Sequence, residues 1–327
     1  MHVRTFRTLL SFGCCVVLLL SSTQADAQTQ VVDPDFTAAV ETPAYHKNGP
    51  TVAIDEAHSN FHTATGQYRP FADILRSDGY DVKASAARFD AAALAGVGVL
   101  VIANALPEDV SNLSTPAFSE QECDVVREWV RAGGSLLLIA DHAPFGSAAE
   151  NLASRFGVAM GKGYVFDRAN TGAITTQLTF SRENGLLGTH PILRGRASPE
   201  QVQVVQTFTG QSLSIPEGAA VLMSFSRTAR EAATPADLNA EGVAVQSANA
   251  PAGSFGAHST PVTGRAQGLA MTYGDGRLVV LGEAGFLSAQ LIRFADGREV
   301  KFGMNVPGND NRQFVLNVLH WLSRLME

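Results

Sequence analysis

Short apolar runs alternate with amphipathic segments through the first half of the chain. Residues 97–103 and 135–140 are apolar at almost every position, which is typical of strands that are buried on both faces. Residues 120–132 carry apolar side chains at helical spacing, and Ser119 with Glu122 forms a capping box before them. Strands that alternate with helices in this way predict repeated βαβ units and a parallel sheet.

The rest of the pattern predicts further elements of both kinds. They are a strand at 51–54, a helix around 71–75 that stops at Gly79, a helix at 148–156, strands at 202–208 and 219–225, a hairpin of 269–273 and 277–281 around Gly274-Asp275-Gly276, and a final helix at 312–326. Residues 228–267 are rich in Ala, Pro, Ser and Gly and predict a loop-rich excursion. The predicted fold class is therefore α/β, a mostly parallel sheet flanked by helices, with an irregular β-containing insertion.

The first 27 residues have the pattern of a secretory signal peptide. Arg4 and Arg7 precede an apolar run over residues 9–20, and Ala25-Asp26-Ala27 offers a cleavage site. The apolar run is too short to span a bilayer. We therefore expect an exported protein, periplasmic or extracellular, without a transmembrane segment once the signal is removed. An extended leader is expected at 28–50 and a single α/β domain at 51–327.

Composition limits what this domain can be. The 327 residues carry 24 Lys and Arg against 31 Asp and Glu, and the resulting charge of −7 argues against a nucleic-acid partner, because such binding relies on basic side chains. Cys14 and Cys15 lie in the predicted signal, so Cys123 has no partner for an internal disulfide. Because Cys123 lies on the apolar face of a predicted helix, we expect a buried small hydrophobe rather than a catalytic thiol.

Acidic and imidazole side chains follow three of the predicted strands. They are Asp55, Glu56, His58 and His62 after the first strand, Asp141 and His142 after the strand at 135–140, and Glu283 after the hairpin. In an open parallel sheet, ligands bind outside the carboxyl ends of the strands. These residues therefore predict a site at that edge.

Two kinds of chemistry fit this group, and a structural role stays open beside them. The candidate ligands for a divalent metal such as zinc are His58, His62, Asp141 and His142. The candidate residues for acid–base catalysis are His142, Asp141, Glu283, His58 and Glu56, with a carboxylate orienting a histidine as general base. In the structural alternative, the acidic residues cap the helices that follow and satisfy amides at the strand ends.

Ser147 follows the strand at 135–140, where nucleophiles often lie in α/β enzymes. Its surroundings are Phe-Gly-Ser-Ala-Ala-Glu rather than G-x-S-x-G, and Ser147 with Glu150 has the spacing of a capping box. We therefore expect Ser147 to cap a helix rather than to attack a substrate.

Five short motifs are distributed over residues 50–326. They are Asp55-Glu56-x-His58, Gly133-Gly-Ser-Leu-Leu-Leu-Ile-Ala-Asp141-His142, His190-Pro-Ile-x-x-Gly195, Gly282-Glu283-Ala-Gly-Phe and Asn311-x-x-Phe314-x-x-Asn317-x-x-x-Trp321-Leu. Together they resemble the class I glutamine-amidotransferase-like superfamily, in its exported branches of unknown function and its trehalose-utilisation-like relatives. The resemblance implies a flavodoxin-like sheet flanked by helices. It does not imply amidotransferase activity, because the chain lacks the elbow cysteine and the His-x-Glu pair of true amidotransferases.

The leading functional hypothesis is a hydrolase of a small polar molecule, such as a sugar derivative or an ester. His142 would act as base or metal ligand, and Asp141 and Glu283 would orient it or bind the metal. His58 would complete the site. The alternative is a non-catalytic module that binds a small-molecule or carbohydrate ligand.

Overall fold

The computed structural model describes residues 29–172, 174–243, 256–294 and 297–327. The predicted signal peptide and residues 244–255 of the excursion lie outside the described residues. Within the described ranges, no helix combines the length and the apolar character that crossing a bilayer requires.

Strands and helices alternate along the described chain. The strands are β1 (Thr29–Val32), β2 (Thr51–Asp55), β3 (Asp81–Ser85), β4 (Val99–Ala103), β5 (Ser135–Ile139), β6 (Tyr164–Phe166), β7 (Gln177–Ser181), β8 (Val204–Phe208), β9 (Ala220–Ser224), β10 (Arg230–Ala232), β11 (Ser259–Pro261), β12 (Ala266–Tyr273), β13 (Gly276–Leu281), β14 (Ala289–Arg293) and β15 (Glu299–Gly303). The α-helices are α1 (Arg69–Ser77), α2 (Glu120–Arg131), α3 (Phe145–Ser154), α4 (Pro191–Arg194), α5 (Pro235–Ala240) and α6 (Asn311–Leu322). Short 3₁₀ helices lie at Ser198–Glu200 and Gly285–Leu287.

A seven-stranded sheet forms the centre of the molecule, in the order β3-β2-β4-β5-β13-β12-β9. The first five strands of that order run parallel, whereas β12 is antiparallel to both of its neighbours. The predicted α/β class with a mostly parallel sheet is thereby confirmed. The hairpin predicted around Gly274 is the β12–β13 pair, which carries the sheet from its parallel part into its antiparallel edge.

Alternate side chains of the central strands enter two different cores. In β4, Val99 and Val101 pack with α1 and α6, whereas Leu100 and Ile102 pack on the opposite face with α2 and α3. Every residue of β4 and of β5 is buried. This agrees with their continuous apolar runs, which predict strands that are covered on both faces. Each Val, Leu or Ile buried in this way contributes about 1.5–3 kcal/mol to folding.

Two predicted helix boundaries are wrong. Helix α3 begins at Phe145 rather than at 148, with Pro144 at its N-cap and no side-chain cap, so Ser147 and Glu150 form no capping box. Residues 140–144 connect β5 to this helix, and backbone bonds complete its first turn. Helix α6 runs over Asn311–Leu322 rather than 312–326, because Arg324 takes a positive φ of 66° just beyond it.

The capping box at the start of α2 is confirmed. The Ser119 hydroxyl accepts from the Glu122 backbone N–H, and the Glu122 carboxylate accepts from the Ser119 N–H. The loop-rich excursion also contains regular structure, since β10 pairs with both β6 and β11. In the segment predicted as a leader, β1 pairs antiparallel with β14.

Candidate functional site at the carboxyl edge of the sheet

Four parallel strands end in polar residues at one edge of the sheet. Strand β2 ends at Asp55, and β4, β5 and β13 are followed within two residues by Asn104, Asp141 and Glu283. Because parallel strands point the same way, these residues gather at their carboxyl ends. Sequence reasoning selected three of the four and missed Asn104, which the same rule selects as the residue after β4.

His58 lies between two carboxylates beneath this edge. Its Nδ1 is 2.9 Å from Oδ2 of Asp55, and its Nε2 is 3.0 Å from Oε1 of Glu122. The rings of Phe89 and Phe118 cover it at centroid distances of 4.6 and 4.7 Å, and only 2% of the residue is exposed. With both ring nitrogens engaged, His58 has neither a free lone pair nor a free N–H to offer a substrate or a metal.

The charges of these three residues, here called the buried ion triad, stabilise one another. Burial lowers the pKa of His58, but its hydrogen bonds and charge interactions with Asp55 and Glu122 outweigh burial and raise the pKa above its ordinary 6.5. Burial raises the pKa of Glu122, yet bonds from Ser119 and from His58 lower it to about 2. Each ring nitrogen of His58 faces a carboxylate oxygen, which accepts, so both nitrogens donate and the triad is an imidazolium between carboxylates.

Asn104 connects two neighbouring parts of the edge. Its Oδ1 accepts the backbone N–H of Asp141 at 2.9 Å, which turns its Nδ2 toward Nδ1 of His62 at 3.1 Å. An amide nitrogen only donates, so Nδ1 of His62 accepts and the ring proton lies on Nε2. Burial lowers the pKa of His62 to about 3, which keeps this ring neutral. Asn104 holds a positive φ of 48°, a conformation that asparagine tolerates better than most residues.

Glu283 and Asp141 form an interacting pair of carboxyl groups. Burial first, and then the charge of Asp141, raise the pKa of Glu283 well above its ordinary range, although backbone N–H groups of Gly285 and Phe286 donate to it at 2.6 and 3.0 Å. Burial and the charges of Glu283 and Asp141 also raise the pKa of Tyr68, whose hydroxyl donates to a backbone carbonyl. Glu283 and Tyr68 therefore both keep their protons to higher pH than such groups do in water.

His142 lies at the rim, next to Asp141. Its side chain is 28% exposed, against 13% for Asp141, and its ring stacks on Tyr164 with centroids 4.4 Å apart. Its Nδ1 lies 2.9 Å from the carbonyl oxygen of Ala143, which can only accept, so Nδ1 carries a proton. In the neutral ring, Nε2 is then a free acceptor, 3.9 Å from Oδ1 of Asp141.

The remaining sequence candidates have other contacts. The Glu56 carboxylate accepts the backbone N–H of Ala64 at 2.8 Å and so stabilises the loop after β2. Cys123 is buried as expected, and burial raises its pKa to about 12. Ser147 lies inside the first turn of α3.

The four candidate metal ligands are not gathered into one set. Both nitrogens of His58 are bonded to Asp55 and Glu122, and Nδ1 of His62 is bonded to Asn104. Across the part of the chain that the structure describes, no group of three His, Cys, Asp or Glu side chains is arranged to hold a metal ion.

We expect the purified mature chain to carry no stoichiometric metal. Protein that starts at Gln28, prepared without chelator or His tag, should contain less than about a tenth of an equivalent of zinc, manganese or calcium by mass spectrometry. Its melting temperature should be the same with and without EDTA. A full equivalent of one metal that is lost in His142→Ala would contradict this expectation.

Comparison with known proteins identifies a fold and no family. No family model matches the chain, and no curated protein matches it. Among solved structures, the mmIFT52 N-terminal domain is similar over 84% of this chain and 97% of that domain, with a TM-score of 0.54 and 13% sequence identity. At this identity, the likeness concerns the fold alone.

Two further solved structures have names compatible with the resemblance seen in the sequence. A ThuA-like protein from Bacteroides uniformis is 11% identical, with a TM-score of 0.41 over 86% of this chain and 93% of that one. A GMP synthase-like protein from Thermoplasma acidophilum is 12% identical, with a TM-score of 0.39 over 86% of this chain and all of that one. Similarity at these scores carries no conclusion about activity.

Proposed function

We propose that the chain is an exported hydrolase of a small polar molecule, with its site at the carboxyl edge of a flavodoxin-like sheet. The order β3-β2-β4-β5-β13 supports this placement, because it is the 2-1-3-4-5 order described for flavodoxin-like sheets. Such sheets bind ligands where the strand order reverses, which is here between β2 and β4. His62 and Asn104 follow those two strands.

The observation that carries the proposal is the carboxyl pair of Glu283 and Asp141. Burial and the Asp141 charge raise the pKa of Glu283 well above its ordinary range, so Glu283 keeps its proton to higher pH than an ordinary glutamic acid. A carboxyl group whose pKa is strongly shifted by burial and by a specific charged neighbour is a recurrent feature of functional sites. Burying Glu283 next to the charge of Asp141 costs stability, although the backbone N–H groups of Gly285 and Phe286 donate to its carboxylate.

In the proposed reaction, His142 is the general base. Nε2 of the neutral ring takes a proton from water while the water oxygen bonds to the electrophilic carbon of the substrate. The imidazolium formed lies beside Asp141 at 3.9 Å, which stabilises its charge. The same proton then passes to the leaving-group oxygen as its bond to carbon breaks, and His142 returns to the neutral state.

A panel of p-nitrophenyl esters and p-nitrophenyl glycosides tests this proposal. We expect turnover of one class by the mature chain, and a fall in kcat/KM of about 100-fold or more in His142→Gln, because that change removes the base. His258→Gln is the matched control, since it replaces a histidine whose side chain is 47% exposed outside the site. Full activity in His142→Gln, or no turnover of any substrate in the panel, would contradict the proposal.

A non-catalytic binding module is the second candidate, and one observation favours it. Phe61 is 52% exposed beside His62, with its ring centroid 6.2 Å from that of Phe145. Exposed aromatic rings next to buried polar groups suit binding of a small polar molecule. Monosaccharides that raise the melting temperature without turnover, with the effect lost in Phe61→Ala, would assign the site to binding.

A further inference from the structure

A cavity of about 620 Å³ lies away from the carboxyl edge, between α6, the end of α1 and the segment at 37–42. This volume is within the range of small-molecule sites. None of the carboxyl-edge residues lines it. The proposed hydrolysis site therefore does not include this cavity.

One wall of the cavity is a single face of α6. Arg312, Leu316 and His320 line it at intervals of four residues, which places them above one another on the helix. The interval from Arg312 to His320 is about 12 Å along the helix axis. The cavity thus has a guanidinium toward one end and an imidazole toward the other.

The imidazole end contains an unsatisfied acceptor. Nε2 of His320 lies 2.8 Å from Oδ2 of Asp78, and the other oxygen of Asp78 accepts the backbone N–H of Ala44 at 2.7 Å. A carboxylate accepts, so Nε2 of His320 donates its proton to Asp78, and in the tautomer with its proton on Nε2 the other ring nitrogen, Nδ1, is an acceptor. His320 is 3% exposed and its Nδ1 has no hydrogen-bond partner. A buried polar atom without a partner costs free energy that a donor from a ligand would recover.

The other end contains a cation without a contacting carboxylate. The Arg312 guanidinium donates to the carbonyl oxygens of Thr37 and Ala39, which hold it against the segment at 37–42. Among the described residues, no carboxylate lies within ion-pair distance of Arg312, and Glu41 acts on it only at longer range. Arg312 therefore keeps both charge and N–H donors for a ligand. The cavity's other arginine, Arg196, is already paired with Glu200 at 2.5 Å.

We propose that this cavity binds a hydroxylated monocarboxylate, a sugar acid. Its carboxylate bonds to the Arg312 guanidinium, and a hydroxyl donates to Nδ1 of His320. This binding mode gives Nδ1 of His320 a donor and gives Arg312 a counter-charge. An Arg–carboxylate bond is charge-assisted and so among the stronger polar contacts.

Titration calorimetry with D-gluconate tests the proposal, with D-glucose and acetate as comparison probes. Glucose offers hydroxyls without the charge, and acetate offers the charge without hydroxyls. We expect gluconate to bind at least about tenfold more tightly than either probe, since only gluconate makes both contacts. Binding of gluconate no tighter than that of glucose would overturn the proposal.

Variants assign the binding to the cavity. Arg312→Gln should weaken gluconate binding by about tenfold or more because the charge is lost, and Arg312→Lys should weaken it less, because lysine keeps the charge but not the planar set of N–H donors. His320→Gln should weaken it as well, since the glutamine Nε2 can still donate to Asp78, while its acceptor, Oε1, is attached to the same terminal carbon and does not occupy the position of Nδ1. Arg324→Gln is the matched control, because Arg324 also donates to two backbone carbonyls but lies outside the cavity.

Asp141→Asn separates this proposal from the hydrolase proposal. Asp141→Asn should leave gluconate affinity unchanged, so a failure of the hydrolase proposal does not affect this one. Gluconate affinity that falls in Asp141→Asn and not in Arg312→Gln would overturn the assignment to the cavity. Circular dichroism of each variant confirms that it is folded before its affinity is compared.

Discussion

Replacing His58 by alanine is expected to lower the free energy of unfolding by about 3–5 kcal/mol, the usual cost of breaking a buried ion pair. The substitution leaves the carboxylates of Asp55 and Glu122 buried without the imidazolium between them. It also removes the ring that fills the space between Phe89 and Phe118. Urea unfolding followed by circular dichroism measures the change.

The matched control is His46→Ala, which replaces an exposed histidine. Its free energy of unfolding should stay within about 0.5 kcal/mol of the parent. If His58→Ala costs less than about 1 kcal/mol, the imidazole is not part of a buried ion triad. His58 would then return to the group of catalytic candidates.

The buried ion triad also predicts the direction of a pH effect. The pKa of His58 is raised in the folded state, so its contribution is present below the ordinary 6.5 and is lost as pH rises through the raised value. The pKa of Glu122 is lowered from 4.5 to about 2, so its contribution is present above 4.5 and is lost as pH falls toward 2. The triad therefore stabilises the fold most between pH 4.5 and 6.5. In His58→Ala, the free energy of unfolding should depend less on pH.

Asp141→Asn is expected to raise the stability of the protein and to lower its activity. It should raise the free energy of unfolding by about 1 kcal/mol near neutral pH, because it removes the negative charge beside Glu283. It should lower hydrolysis by about 100-fold, because the imidazolium of His142 loses its counter-charge. Such a gain in stability with a loss of activity is typical of a functional residue.

The pH dependence of the stability of Asp141→Asn gives a second test of the interaction between Asp141 and Glu283. The pKa of Glu283 is raised in the folded state, so stability falls as pH rises from the ordinary 4.5 toward the raised value. Asp141→Asn should make that fall smaller. Asp90→Asn, which replaces an exposed carboxylate that is not part of the Glu283–Asp141 pair, serves as control and should leave the dependence unchanged. A destabilised Asp141→Asn protein with full activity would contradict this account.

The gathering of acidic residues at one edge could be predicted because it depends on local pattern. Apolar runs that end at Asp55, Asp141 and Glu283 are visible in the sequence, and parallel geometry brings such ends together. Asn104 follows the same rule, but it carries neither the charge nor the imidazole that indicates metal binding or acid–base chemistry. Its role as the link between Asp141 and His62 needs the fold, since it depends on the direction of one amide group.

The role of His58 could not be predicted, because its second partner is distant in the sequence. Glu122 lies 64 residues away and is recognisable only as the acidic member of a capping box. Its carboxylate serves both roles, with Oε2 on Ser119 and Oε1 on His58. Such long-range pairs leave no periodic signal. Strand β3 was missed for a related reason, since it lies at the edge of the sheet and is too polar to differ from a loop.

The central claim is that burial and the charge of Asp141 raise the pKa of Glu283. Following the protonation of Glu283 tests it most directly. Infrared spectroscopy of protein labelled with ¹³C-glutamate, taken as the difference from Glu283→Gln, follows the C=O stretch of this one protonated carboxyl through a pH titration. The account predicts a midpoint above the ordinary value of 4.5, and a lower midpoint in Asp141→Asn. A midpoint at or below the ordinary value, or one that does not change in Asp141→Asn, would contradict it.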